Sequence, residues 1–288
     1  MLKERTMTNG CLLLEGGGMR SVFTSGVLEY FLEKNLNFDR IIGVSAGACA
    51  GASFISGQKG RNWKVNVEFP SDKRFMGFYH LITKGSYFNI PFIFREIPEK
   101  LVPFDNKAAF ENTAEFDVVI TSLTTGKSVF LAKNEIATIG MNTALIATSS
   151  IPMISRPVPI NGRLFYDGGV SDSIPVEYAL SKHAKVVVVL TRPRGYRKGK
   201  LKNTGLIKLA FRKHPEFLKA MLNRNVEYNR SLDFCDKMEK EGRLFLIAPS
   251  AEYAVGRTER NFKKRADLYY YGYNLISEQF ETLKDFLK

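Results

Sequence analysis

Apolar positions along the first half of the chain alternate between two periods. Residues 11–14 (C-L-L-L) and 40–44 (R-I-I-G-V) are short apolar runs that suit buried strands. Between them, Val22, Val27, Leu28, Phe31 and Leu32 recur at helical spacing over residues 22–34, and Asn35 is a usual helix stop. Residues 46–56 read as a second helix that starts directly after Ser45. The order strand, loop, helix, strand, turn, helix describes a parallel sheet covered by helices. Further along, residues 116–123 and 128–132 flank T-T-G-K as paired strands, and residues 135–149 read as one helix. Residues 156–160 and 163–166 flank Asn161-Gly162, the strongest short hairpin signal. A helix over 175–183 opens with proline, 185–190 is a buried strand, 243–247 is the last strand, and 259–288 is helical and rich in tyrosine.

From about residue 58 to 110 the periodicity loosens. Prolines at 70, 91, 98 and 103 interrupt it while phenylalanines and tyrosines crowd it, which fits a lid or the wall of a pocket; plain core packing is the alternative for many of these side chains. No internal repeat or low-complexity linker divides the chain. The expected organisation is a single domain over residues 8–288. Its parts are the aromatic insertion (58–110), a basic, mostly helical region (191–242), and a last strand with C-terminal helices (243–288).

Composition is that of an ordinary globular protein, with 44% hydrophobic and 25% charged residues. Cys11, Cys49 and Cys235 are odd in number and scattered, which argues against a disulfide framework and for a reducing, cytoplasmic compartment. No spacing of metal ligands appears, and no cofactor is expected. Near the N-terminus, Lys3 and Arg5 precede only a short apolar run, so neither a signal peptide nor a membrane span is expected. Charge adds something more specific. The segment 191–230 holds twelve Lys or Arg against Glu216 and Glu227, carrying most of the chain's net +13. Such a block attracts polyanions, so peripheral contact with the inner face of an anionic membrane is expected, or else it is a solvated helical surface. No motif supports specific recognition of nucleic acid.

Three short motifs carry candidate chemistry. In I-I-G-V-S-A-G, Ser45 stands between Gly43 and Gly47 as G-x-S-x-G, at a sharp strand-to-helix turn where the flanks must be small. The helix that follows points its N-terminal amides toward charge that forms at the serine. A small-residue turn before a buried helix also occurs without chemistry. The second motif, L-E-G-G-G-M-R-S, places Gly16, Gly17 and Gly18 after the first strand. A dinucleotide loop would need an acid at the end of the second strand, whereas Asp39 precedes that strand and the serine turn occupies its end. The other use of such glycines is an oxyanion hole, because backbone N–H groups can approach a carbonyl oxygen unhindered. The third motif is Y-D-G-G-V, where Asp167 meets Gly168 and Gly169 at a strand end. The only histidines, His80, His183 and His214, lack a catalytic setting. Asp172 is expected to be structural.

The motifs G-G-G-M-R-S, G-V-S-A-G and D-G-G, in that order, resemble those of the patatin-like phospholipases, particularly the compact bacterial members, over nearly the whole chain. The resemblance implies a three-layer α/β/α sandwich with a mainly parallel sheet and a Ser–Asp dyad without histidine. Ser45 then matches the nucleophile and Asp167 the group that activates it. Gly16, Gly17 and Gly18 match the oxyanion loop and Arg20 its basic position. Gly43, Gly47, Gly168 and Gly169 support the two turns. Ser21 departs from the family's usual glycine. The implied function is hydrolysis of fatty-acyl esters or phospholipids through an acyl-enzyme. The alternatives are acyl transfer to an acceptor other than water and a non-catalytic lipid-binding protein, which would have no reason to keep both Ser45 and Asp167.

Overall fold

Side chains that alternate along the first strand set up the layers. The computed structural model describes residues 6–288, so Lys3 and Arg5 lie outside the described residues. In β1 (Thr6–Leu14), Leu12 and Leu14 pack into one apolar cluster and Cys11 and Leu13 into another, all fully buried. A strand buried on both faces requires helices on both. One face is covered by α1 (Val22–Glu33) and α2 (Ala46–Ile55), with β2 (Leu36–Val44) between them in the chain. Asn35 closes α1 in the left-handed region (φ 55°), where asparagine is tolerated.

Both strands begin earlier than the apolar runs suggest. Thr6 pairs Leu36 and Thr8 pairs Phe38, and Thr8 Oγ1 donates to Asn37 O at 3.1 Å. The threonines at the start of β1 give no apolar signal, and at the start of β2 the buried Leu36 and Phe38 alternate with the polar Asn37. Asp39 therefore lies inside β2 rather than ahead of it, while the end of the strand is still Val44.

The aromatic insertion contains α3 (Arg61–Trp63), α4 (Phe78–Lys84), a π-helical stretch around Pro98, and α5 (Asn106–Glu111). The fully buried Arg265 ties it to the body of the protein, donating to Val67 O from Nε (3.1 Å) and Nη2 (2.8 Å). Next come β3 (Glu115–Ser122), β4 (Ser128–Leu131), α6 (Lys133–Ile139) and α7 (Met141–Thr148). The single helix expected over 135–149 is thus two. Gly140, at φ 90° and ψ 139°, breaks the helical path between them. The hairpin of β5 (Val158–Ile160) and β6 (Arg163–Asp167) turns at Asn161 and Gly162, both with positive φ as expected. The chain finishes with α8 (Val176–Lys182), β7 (Val186–Val189), α9 (Thr204–Ala210), α10 (Pro215–Lys240), β8 (Leu244–Ile247) and α11 (Phe262–Leu287).

The sheet runs β5-β6-β3-β2-β1-β7-β8, with β4 also pairing β3. Strands β3, β2, β1, β7 and β8 are mutually parallel, and β4, β5 and β6 add antiparallel pairs at one end. Helices α8 and α10 cover the face opposite α1, α2 and α11, completing three layers. One detail of the register positions the site. Along β3, Val119 pairs Val44 and the next residue, Ile120, pairs Asp167. Since β4 holds the other edge of β3 at that point, β6 takes up the edge that β2 leaves as it turns at Ser45.

Candidate active site

Ser45 stands between β2 and α2 with φ 55° and ψ −129°, a conformation that a residue with a Cβ rarely holds. Strand and helix meet this closely only over small residues. A Cβ on Gly47 would lie 2.5 Å from Leu14 O, and one on Gly43 would overlap the Cα of Ala48. The Ser45 N–H donates to Thr148 Oγ1 (2.8 Å), and that hydroxyl donates to Val119 O (2.5 Å). The strained backbone is therefore anchored to β3 through one threonine.

The Ser45 hydroxyl donates to Asp167 Oδ2 at 2.6 Å. Asp167 is fixed from every side. Its N–H donates to Ser150 O (2.8 Å), its carbonyl accepts from Thr121 Oγ1 (2.8 Å), and its Oδ1 accepts from Gly169 N (2.7 Å). Burial pushes the Asp167 carboxyl above the usual carboxylate range; the Ser45 hydroxyl, the Arg224 guanidinium, the Gly169 N–H and Arg257 pull the other way. Asp172, in the loop beyond, takes the backbone N–H of Ile174, and burial raises it to about 7.

The glycine loop passes directly behind the serine. A Cβ on Gly16 would lie 2.8 Å from Ser45 Cβ, and Gly18 has φ 58°. Among the described residues, nothing accepts the Gly17 or Gly18 N–H, whereas the Met19 N–H donates to Arg257 O (3.0 Å). Ser21 has φ −70°, so the serine found in place of the family's glycine carries no left-handed strain. Arg20 is buried, its Nε without a partner, and burial followed by Arg192 and Arg257 lowers it to about 10.

Two cavities meet at Ser45. One is apolar and is lined by Met19, Cys49 and residues of the insertion such as Phe75, Phe88, Ile93 and Phe104. The other is a crevice that holds the charged side chains of Arg20, Asp167, Arg224 and Arg257 with Ser45, Ser173, Gly16, Gly17, Gly18 and Gly169, together with Ile151, Pro152 and Val170. The structure thus brings Ser45, Asp167, the three loop glycines, Arg20 and Gly169 to one place. Gly43, Gly47 and Gly168 sit behind it as packing surfaces, Gly168 against Val119 O. None of the three histidines lines either cavity. Four contributors escaped the sequence. Thr148 carries no motif at all. Arg224 and Arg257 are far along the chain and merge with its general excess of basic residues. Glu15, buried beside the glycine loop, accepts from Thr191 N (2.6 Å) and Tyr228 OH (2.7 Å).

Comparison with known proteins agrees with this architecture. The profile of the patatin-like phospholipase family matches residues 12–180, and a second profile, a domain of unknown function (DUF6363), matches residues 214–288. The chain belongs to the patatin-like phospholipase family. It is 29% identical over 191 residues to the uncharacterized protein YjjU of Escherichia coli K12, covering 62% of this chain and 50% of that protein. It is 26% identical over 194 residues to the probable lipid hydrolase 463L of Invertebrate iridescent virus 6, covering 60% of this chain and 64% of that one. The chain therefore spans about half of the first relative and somewhat under two thirds of the second. Among solved structures, VipD from Legionella pneumophila shares the fold, with a TM-score of 0.51 and 13% identity over 96% of this chain and 67% of that one.

Proposed function

We propose that this protein is a serine lipid acyl hydrolase that cleaves fatty-acyl esters, phospholipids among them, through a Ser45–Asp167 dyad and an acyl-enzyme. The observation that carries this reading is the 2.6 Å hydrogen bond from a serine at positive φ to a buried carboxylate, where an apolar cavity meets a crevice that holds charged side chains. Asp167 takes the Ser45 proton as Oγ attacks the ester carbonyl, and it returns that proton to the leaving alkoxide. Water, deprotonated by the same carboxylate, then releases the fatty acid and restores the serine. The free N–H groups of Gly17 and Gly18 serve as donors to the oxyanion. The apolar cavity takes the acyl chain. The test is release of free fatty acid from a panel of phospholipids, diacylglycerol and short p-nitrophenyl esters; a folded protein that cleaves none of them overturns the reading.

The dyad has a pH signature. Only ionised Asp167 can accept the proton, so activity is lost as pH falls through its folded pKa, which burial has raised. The acid limb of kcat/KM on a soluble ester is expected above the ordinary aspartate range. Arg224 pulls that pKa down, so Arg224→Gln is expected to move the limb to higher pH. A limb that moves to lower pH, or stays in place, would contradict the assignment of Asp167 as the base.

We also propose that residues 8–288 act as one domain, because Arg224 and Arg257 of the second matched segment line the crevice that holds Ser45. Among the described residues, no helix is long and apolar enough to cross a membrane. The basic region is proposed to dock the protein on anionic bilayers, though fewer of its charges are free than the sequence suggests. Arg194 pairs with Glu239, Arg197 with Asp233, and Lys198 lies 3.5 Å over the ring of Tyr228. The exposed cations cluster around α9 (Lys200, Lys202, Lys208, Arg212 and Lys213), beside Leu206 and Leu209, which are 70% and 59% exposed. Each such charge contributes about 1 kcal/mol near an anionic surface. Reversing Lys200, Lys202, Lys208 and Lys213 to Glu is expected to lower binding to phosphatidylglycerol vesicles at least tenfold, measured by co-sedimentation. Binding that ignores both this change and added salt would remove the idea.

A further inference from the structure

We propose that Arg224 and Arg257, both supplied by the segment 214–288, form an anion subsite in the crevice that holds the phosphate of a phosphate-bearing acyl ester. This rests on the hydrolase reading above and narrows its substrate class.

The first observation is placement. Both arginines line the crevice that contains Ser45 and Asp167, on the polar side of the nucleophile and away from the apolar cavity. Arg224 donates from Nε to Gly169 O, which holds the guanidinium against the D-G-G turn. Arg257 is anchored through its backbone, where its carbonyl accepts the Met19 N–H at 3.0 Å. A glycerophospholipid carries its phosphate a few bonds from the ester to be cut. With the acyl chain in the apolar cavity and the carbonyl at Ser45, the phosphate falls on this polar side.

The second observation is an excess of positive charge, four cations that Glu15 and Asp167 offset only in part. Among the described residues, Arg20, Lys198, Arg224 and Arg257 make no ion pair. The nearest fixed carboxylates are already engaged: Glu15 accepts from Thr191 and Tyr228, and Asp167 from Ser45 and Gly169. The strain of gathering like charges shows in their proton affinities. Burial and then Arg224 hold Lys198 down to about 6 against the pull of Glu15, with Arg257 and Arg20 adding to the lowering; Arg224 is lowered by burial and Arg257 against Asp167 and Glu15. A bound phosphate would relieve this repulsion, and a planar guanidinium matches its oxygens with paired N–H donors. The exposed lysines around α9 are a separate feature, since they meet solvent and do not line the crevice.

The experiment removes surface charge from the comparison by presenting lipids in micelles of a nonionic detergent. Wild type, Arg257→Gln, Arg224→Gln and Arg257→Lys are assayed on phosphatidylglycerol and on uncharged diacylglycerol with the same acyl chains. The ratio of kcat/KM, phosphatidylglycerol over diacylglycerol, is expected to fall about tenfold or more in each Gln variant, mainly through KM, as for one lost charge-assisted hydrogen bond. Arg257→Lys should restore part of it. In parallel, titration calorimetry with inorganic phosphate on Ser45→Ala protein reads the subsite without turnover, and binding should weaken when Arg257→Gln is added. An unchanged ratio together with unchanged phosphate binding overturns the subsite. Phosphate binding that depends on Arg257 with an unchanged lipid ratio overturns the headgroup assignment, because the site then takes free phosphate. Arginine-dependent phosphate binding in a protein that cleaves no ester supports the subsite and refutes the hydrolase reading instead.

Discussion

Ser45→Ala is expected to lower ester hydrolysis by about a thousandfold or more while leaving the circular dichroism spectrum unchanged. Among the described residues the hydroxyl bonds only to Asp167, and alanine keeps the Cβ and the same backbone demands at φ 55°. The Thr148 anchor acts on the Ser45 N–H and survives the change. Asp167→Asn is expected to be nearly as damaging. An amide oxygen can still accept the Gly169 N–H, but the amide takes no proton from serine. Replacing His80, His183 or His214 singly should stay within a few-fold, because none of them lines either cavity. A loss of about a thousandfold at one histidine would point to a triad.

The second large effect concerns folding. Helix α11 crosses α1 at two glycines: a Cβ on Gly26 would collide with the Tyr269 carbonyl, and one on Gly272 with that of Phe23. The obstacles are backbone atoms within packed helices, so they cannot swing aside. Gly26→Val is expected to destabilise the protein by about 3 kcal/mol or more, as forced overpacking does. The urea midpoint measures this directly. Gly205→Ala, in the exposed α9 where a Cβ would meet nothing within 4 Å, serves as the control and is expected to be neutral or slightly stabilising. Equal midpoints for Gly26→Val and wild type would show that α11 does not rely on this crossing.

The sequence was most informative where local chemistry and long-range structure coincide. Apolar runs exposed the strands of the parallel half because they are buried on both faces, and the three glycine motifs exposed the turns at their ends. Polar strand ends such as Thr8 and Asn37 carry no apolar signal: Thr8 is held by pairing and by its bond to Asn37 O, and Asn37, although buried, is a polar residue that donates to Asn112. Gly140 gives no break signal in the sequence, because one glycine inside a helical pattern is usually tolerated; its positive φ with an extended ψ splits α6 from α7. The meeting of Ser45 and Asp167 could be anticipated because each sits in a motif. Thr148, which pins the serine, could not, since an isolated threonine near a helix end has no distinguishing pattern. Arg224 and Arg257 reach the crevice by tertiary packing alone, and a surplus of charge in sequence does not reveal which cations face inward.

Whether Ser45 is the nucleophile can be decided by one measurement. The protein is incubated with a fluorophosphonate ester, digested, and the adduct located by mass spectrometry. A single phosphonylated site on the peptide containing Ser45, absent from Ser45→Ala and formed more slowly in Asp167→Asn, is the expected result. A folded protein that takes no label, or takes it on another residue, would show that Ser45 is not activated for attack and that the dyad is wrong.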